Sequence, residues 1–221
     1  MDFSEKKFII WDLDGTLTDP ADGITRSVQA ALRYFGLSAS REELLDFIGP
    51  PLADSFAGKF GFSQKQCEEA IRHYREYFSK TGMFENRVYP GIPELLRQIQ
   101  AAGKQNFLAS SKPEVFCRKI LDHFSILEPF SQIAGSDLEG KRAEKHAVLQ
   151  YLLEQSGIDP EKAVMIGDRK FDVLGAAEFS MPCIGVLWGY GSREELETAG
   201  AAAAVSTPEE LSRLLLGESR G

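Results

Sequence analysis

Phe8-Ile9-Ile10-Trp11-Asp12-Leu13-Asp14-Gly15-Thr16 is the stretch on which the reading of the fold turns. Four apolar residues run up to a charge and a glycine, the pattern of a short buried strand. Side chains two apart on an extended chain point to the same side. If the extension persists past Trp11, Asp12 and Asp14 face one space, and Gly15 can turn the backbone tightly behind them. Two close carboxylates repel unless a cation lies between them or one keeps its proton. A hard cation such as Mg²⁺ takes oxygen ligands and tolerates partial hydration.

Similar apolar runs recur at 105–109, 132–135, 163–166 and 183–187, with a weaker one at 201–205. Between them lie helical patterns. Ile92, Leu95, Leu96 and Ile99 form a stripe in 92–102 that ends at Gly103, and Val148, Leu149, Leu152 and Leu153 form another in 144–156 that ends at Gly157. Strands alternating with helices predict an α/β fold with a Rossmann-like parallel sheet covered on both faces by helices. The segment from about Gly23 to Tyr89 breaks the alternation. It holds helical stretches at 24–35, 41–48, 52–60 and 63–81, with no convincing strand. The 221 residues therefore divide into an α/β core of residues 1–19 and 88–221 and an inserted helical cap of residues 20–87.

Composition sets outer bounds. With 43% hydrophobic and 26% charged residues, the chain can bury a substantial core, which excludes disorder for its bulk. Acidic side chains outnumber basic ones 33 to 25, for a formal charge of −8, so no wide basic footprint for nucleic acid is expected. Cys67, Cys117 and Cys183 are far apart and form no CxxC pair, which argues against a zinc ribbon or a disulfide framework and for a reducing compartment. The polar start Met1-Asp2-Phe3-Ser4-Glu5-Lys6-Lys7 is not a signal peptide, and no apolar run is long enough to span a bilayer. A soluble cytoplasmic protein with no membrane partner is expected.

Three further stretches carry chemistry. Gly167-Asp168-Arg169-Lys170-Phe171-Asp172 follows the 163–166 strand, and its two acids are one helical turn apart. Acidic caps on a helix start would look the same, but a second acid pair at an equivalent strand end favours a metal site. Leu108-Ala109-Ser110-Ser111-Lys112-Pro113 ends another strand with hydroxyls, which suit a phosphate or simply cap the following helix. Lys145 stands at a helix start, where a positive charge opposes the helix dipole, so it is placed for function or is merely solvated.

An acid pair, a hydroxyl, a lysine and a second acid pair, in that order and each near a strand end or helix start, resemble the haloacid dehalogenase (HAD) superfamily over nearly the whole chain. Within it the sequence looks most like the phosphoglycolate-phosphatase-like branch, whose helical cap is inserted after the first strand. The resemblance implies a Mg²⁺-dependent phosphatase for a small phosphomonoester. Asp12 would be the nucleophile that becomes an aspartyl phosphate. Asp14 would be the general acid and then the base, its backbone carbonyl also meeting the metal. Ser110, with Ser111, would hold the phosphoryl oxygens, and Lys145 would neutralise charge beside Asp12. Asp168 and Asp172 would complete the metal site with Asp12 and Asp14. Lys141 competes with Lys145, because the surrounding Arg142-Ala143-Glu144 departs from the family's usual pattern; Lys145 lies closer to the helix start.

Asp14 favours phosphate-ester hydrolysis over the dehalogenase relatives, which lack an acid there. Asp22-Gly23-Ile24-Thr25-Arg26-Ser27 lacks the cap histidine of phosphomutase relatives. The cap would select the substrate through the turn Gly49-Pro50-Pro51-Leu52, with Gly49 and Pro50 against the leaving group. Arg26 is either a second anion contact or a solvated helix residue, and Trp188-Gly189-Tyr190-Gly191 is read as a flexible rim. Candidate substrates are phosphoglycolate, nucleoside monophosphates and sugar phosphates, acted on by a monomer or homodimer. The alternatives are a phosphomutase and a non-catalytic phosphate-binding regulatory protein.

Overall fold

β1 (Phe8–Trp11) is buried from Ile9 through Trp11. The computed structural model, which describes residues 2–139 and 142–217, gives it a parallel neighbour on each side. A strand covered on both faces and paired on both edges has to be apolar along its length, which Phe8-Ile9-Ile10-Trp11 supplies. Beyond β1 come the short β2 (Thr18–Asp19), then α1 (Ala21–Tyr34), α2 (Leu52–Phe60) and α3 (Gln64–Phe78), and then β3 (Arg87–Val88). The α/β alternation follows as α4 (Ile92–Ala101), β4 (Gln105–Pro113), α5 (Glu114–His123), β5 (Phe130–Ser136) and α6 (Lys145–Ser156). It continues as β6 (Ala163–Gly167), α7 (Lys170–Ala177), β7 (Cys183–Val186), α8 (Arg193–Thr198), β8 (Ala203–Val205) and α9 (Pro208–Leu216).

Six of these strands form one parallel sheet in the order β5-β4-β1-β6-β7-β8, while β2 and β3 pair separately. The chain therefore builds outward from β1 in both directions, to β4 and β5 on one side and to β6, β7 and β8 on the other. Open α/β sheets bind ligands where the strand order reverses in this way, at the carboxyl edge. The register places Trp11 opposite both Leu108 and Ile166. On one face Ile10, Phe107 and Met165 pack with Val148, Leu149 and Leu152 of α6 and with Val173 and Ala176 of α7. The stripe Ile92, Leu95, Leu96 and Ile99 on α4 is likewise buried.

Three local expectations need correction. The 41–48 segment is a 3₁₀ helix over Glu42–Phe47 and not an α-helix. The strand expected at 105–109 runs on to Pro113, which pairs opposite Ser136 of β5 after a bulge between Ser110 and Pro113. Ser110 therefore lies within β4 and is no helix cap; Pro113 takes the N-cap position of α5. The last strand covers only Ala203–Val205.

The chain groups into two compact units, Met1–Thr18 with Val88–Gly221, and Asp19–Arg87. In the second unit α1 packs on α3. Its interior is aromatic: Phe47 stands edge-on to Phe56 at 5.0 Å, and Phe56 stacks on Phe62 at 5.9 Å. Arg26 on α1 pairs with Glu85 at 2.8 Å, inside the same unit. Among the described residues no helix is long and apolar enough to cross a membrane.

Polar groups in the sheet are matched rather than avoided. The Trp11 indole N–H is fully buried and donates to Asn106 Oδ1 at 2.9 Å, and Asn106 Nδ2 donates onward to the Leu96 carbonyl at 3.2 Å. An unpaired buried polar group costs about 1–3 kcal/mol. Asn106→Ala orphans the indole N–H and frees a carbonyl, so the urea midpoint should fall by the equivalent of about 2–3 kcal/mol. An unchanged midpoint would contradict this account of the Trp11–Asn106 contact.

Candidate active site

The carboxyl end of β1 supplies the centre of the site. Asp12 N–H still donates to the Ile166 carbonyl at 2.9 Å, so the strand geometry extends one residue beyond β1 and aims Asp12 out of the sheet edge. The turn begins at Leu13. Its carbonyl accepts from Leu17 and Thr18, and Gly15 adopts φ +84°, which residues with a side chain rarely take.

Lys145, the first residue of α6, reaches back to Asp12. Its Nζ donates to Asp12 Oδ1 at 2.7 Å and to the Ala109 carbonyl at 2.8 Å. It also lies 2.8 Å from Asp172 Oδ1. Burial alone would lower the pKa of this ammonium, but Asp12 and Asp172 override that and raise it, so the charge stays on.

Asp172 sits in the first turn of α7, and its Oδ2 accepts from the Arg169 backbone N–H at 3.1 Å. Asp168 is completely buried; the Tyr190 N–H donates to its Oδ2 at 2.7 Å and the Thr16 hydroxyl to its Oδ1 at 3.4 Å. Burial raises the pKa of both acids. For Asp168 the neighbouring Asp172 and Asp12 add to the rise, and for Asp172 the net result is about 6 despite Lys145.

Asp12, Asp168 and Asp172 each present an oxygen within 4.8 Å of the others. Three carboxylates facing one ammonium leave an excess of two negative charges when all are ionised. Asp172 Oδ1, although close to Lys145, is buried without an aligned hydrogen-bond donor among the described residues. An unsatisfied buried oxygen inside an all-oxygen, net-negative cluster is what a hard divalent cation requires, so the residues present fit Mg²⁺.

The Asp14 side chain is kept apart from that cluster. Lys112, near the end of β4, grips both of its oxygens, Oδ1 at 2.8 Å and Oδ2 at 2.6 Å. Burial pushes the Asp14 carboxyl upward, against the pull of Lys112. Ser110 is buried on β4 and its Oγ accepts from the Lys112 N–H at 3.3 Å. Ser111 follows it, half-buried. Gly49 and Pro50 belong to the Asp19–Arg87 unit, between the Glu42–Phe47 turn and α2. Lys141 lies outside the described residues.

Residue reasoning missed Lys112, Thr16 and the Tyr190 backbone. Lys112 had a usable signal, since it stands two residues beyond Ser110 and on an extended chain shares its side. The Tyr190 contact had none, because a backbone N–H leaves no mark in a sequence.

A family profile described as haloacid dehalogenase-like hydrolase matches residues 9–186. A protein named 5'-nucleotidase from Pseudomonas aeruginosa is 48% identical over 189 residues, covering 85% of this chain and 86% of that one. A protein named tyrosine-protein kinase PtkA from Mycobacterium tuberculosis is 39% identical over 86% of this chain, which spans 65% of that longer protein. A phosphoglycolate phosphatase from Yersinia pestis is 31% identical, with 89% of this chain and 88% of that one covered. Among solved structures, one from Clostridium acetobutylicum described as a predicted phosphatase superposes with a TM-score of 0.92 at 44% identity, covering 94% and 97% of the two chains.

The Lys112–Asp14 pair is buried on both sides, at 7% and 12% side-chain exposure. Removing one member of such a pair strands the other, at about 3–5 kcal/mol. Lys112→Met is expected to lower stability in urea by about 3 kcal/mol, and the double variant Lys112→Met/Asp14→Asn to regain most of it. Additive losses in that double-mutant cycle would show that the pair is not coupled.

Proposed function

The chain belongs to the haloacid dehalogenase-like hydrolases and is a phosphoric monoester hydrolase, and from that premise we propose that it is a Mg²⁺-dependent phosphatase working through an aspartyl phosphate on Asp12. The observation that carries the proposal is the separation of two acid–lysine pairs, Lys145 on Asp12 and Lys112 on Asp14. Lys145 sets a positive charge beside the carboxylate that attacks, while the other, raised by burial, is suited to carry a proton.

In this reading Asp12 attacks phosphorus and the ester P–O bond breaks. Asp14 gives its proton to the departing alkoxide oxygen. Asp14 then takes a proton from water, the water oxygen attacks the phosphoryl group, and the P–O bond to Asp12 breaks to restore the carboxylate. Two like charges 4 Å apart cost about 4 kcal/mol at an effective dielectric of 20, so a phosphate dianion needs positive charge beside Asp12. Lys145 supplies part of it. Asp12, Asp168, Asp172 and the Asp14 carbonyl would hold Mg²⁺, which supplies the rest and stabilises charge on the phosphoryl oxygens. Ser110 and Ser111 are assigned to the phosphoryl oxygens, and Gly49 and Pro50 to recognition of the leaving group.

For the substrate we favour a nucleoside 5'-monophosphate over phosphoglycolate, because the 5'-nucleotidase relative shares 48% of residues against 31% for the phosphoglycolate phosphatase. The PtkA relative supports a second reading, transfer of the Asp12 phosphoryl group to an acceptor hydroxyl instead of water. Release of free phosphate separates the two.

With p-nitrophenyl phosphate and Mg²⁺, Asp12→Asn should lose at least a thousandfold in kcat while keeping its circular dichroism spectrum, since the nucleophile is gone. Borohydride quenching during turnover should convert Asp12 to homoserine, detectable by peptide mass. Retained Mg²⁺-dependent turnover in Asp12→Asn would overturn the mechanism. On a metabolite panel, nucleoside 5'-monophosphates should show a higher kcat/KM than phosphoglycolate.

A further inference from the structure

Between β7 and α8 the chain passes through Trp188-Gly189-Tyr190-Gly191, a loop that no step of the reaction above uses. We propose that this loop is a positioning device for the cation site, fixing the Asp168 carboxylate and the turn after β1 in one geometry. The inference rests on the reading of Asp12, Asp168 and Asp172 as cation ligands.

Both oxygens of Asp168 are engaged. The loop provides one partner directly, the Tyr190 N–H on Oδ2 at 2.7 Å. It secures the other indirectly. The Trp188 indole N–H donates to the Thr16 carbonyl at 3.0 Å, and the Thr16 hydroxyl faces Asp168 Oδ1 at 3.4 Å. The indole ring thus ties down the residue that orients the second oxygen. Its single polar atom is committed to that bond, which argues against the flexibility expected of this loop from the sequence.

The two glycines are what allow the backbone to come this close. A Cβ on Gly189 would lie 2.3 Å from the Gly15 carbonyl oxygen and 2.4 Å from Asp168 Cβ. One on Gly191 would lie 1.9 Å from the Asp168 carbonyl oxygen. Any side chain at either position would push the loop off Asp168 or push Asp168 out of the cluster.

A loop can fix a ligand only if its own ends are held. Here Leu187 N–H donates to the Val205 carbonyl at 2.9 Å, joining the loop start to β8. At the far end the Ser192 hydroxyl accepts from Glu195 N–H at 3.0 Å and caps α8. Farther along, Glu195 Oε1 accepts from Arg169 Nε at 2.9 Å, so α8 is tied to the residue next to Asp168 as well. Hydrogen bonds that orient metal-ligating carboxylates typically change metal affinity by about 10–100-fold when lost.

Trp188→Phe keeps an aromatic ring and deletes only the N–H. Mg²⁺ binding to the full-length protein, measured by isothermal titration calorimetry, should weaken about tenfold. In EDTA the melting temperature should drop by only about 2–4 °C, the effect of one hydrogen bond in a chain of this size. Hydrolysis should need correspondingly more Mg²⁺ for half-saturation and recover as Mg²⁺ is raised. Gly189→Ala, checked for folding by circular dichroism, should weaken Mg²⁺ binding further. Trp188→Phe with wild-type Mg²⁺ affinity overturns the positioning role while leaving the cation site standing, and it does so all the more if KM for the ester rises instead. Wild-type protein that takes up no Mg²⁺ overturns the cation reading, and the inference with it.

Discussion

Lys145 carries a positive charge into a region where water is nearly excluded, and it meets Asp12 and Asp172 there, with Asp168 beside them. Coulomb energy at such distances is several-fold larger than at the surface, so Asp12 and Asp172 depend on that ammonium and the ammonium on them. The placement of the secondary elements follows from this requirement. α6 must begin where its first residue reaches the end of β1, and α7 must turn Asp172 back toward the same point. The six-stranded sheet is the frame that brings these helix starts to one edge. Because one ammonium does not balance three carboxylates, the cluster as folded is an acceptor of positive charge.

The second acid–lysine pair has a different character. Lys112 takes both oxygens of Asp14, which keeps that side chain, though not the Asp14 backbone carbonyl, out of competition for a cation. Two aspartates separated by one residue thus meet different surroundings, although their side chains are chemically identical. A division of labour between like groups is commonly built this way, by environment and not by residue type.

Much of this could be read in the chain before any coordinates. Every strand of the main sheet contains an apolar run, because strands covered on both faces are built mostly from apolar residues. Asp12, Asp168, Asp172 and Lys145 announce themselves by charge at strand ends and helix starts, where burial is costly without a reason. The extension of β4 to Pro113 does not show, because Ser110-Ser111-Lys112 is polar and looks like a loop; the strand resumes its pairing with β5 only at Pro113, past a bulge. The 3₁₀ character of Glu42–Phe47 is equally hidden, since apolar spacing over six residues does not distinguish a tighter coil from an α-helix. Contacts made by backbone atoms, such as the Tyr190 N–H on Asp168, are silent in a sequence.

The strand order also bears on how the protein comes into being. β1 precedes both of its sheet neighbours in the chain by a long way, since they begin at Gln105 and Ala163. The contact between Lys145 and Asp12 spans 133 residues, that between Thr16 and Asp168 spans 152, and that between Trp188 and Thr16 spans 172. Contacts this distant in sequence form slowly and late. A chain halted before β6 holds Asp12 but neither Asp168 nor Asp172, so two of the cluster's three acids follow only with β6 and α7. The position of β1 in the middle of the sheet thus keeps the three-acid cluster from assembling until β6 and α7 have joined it.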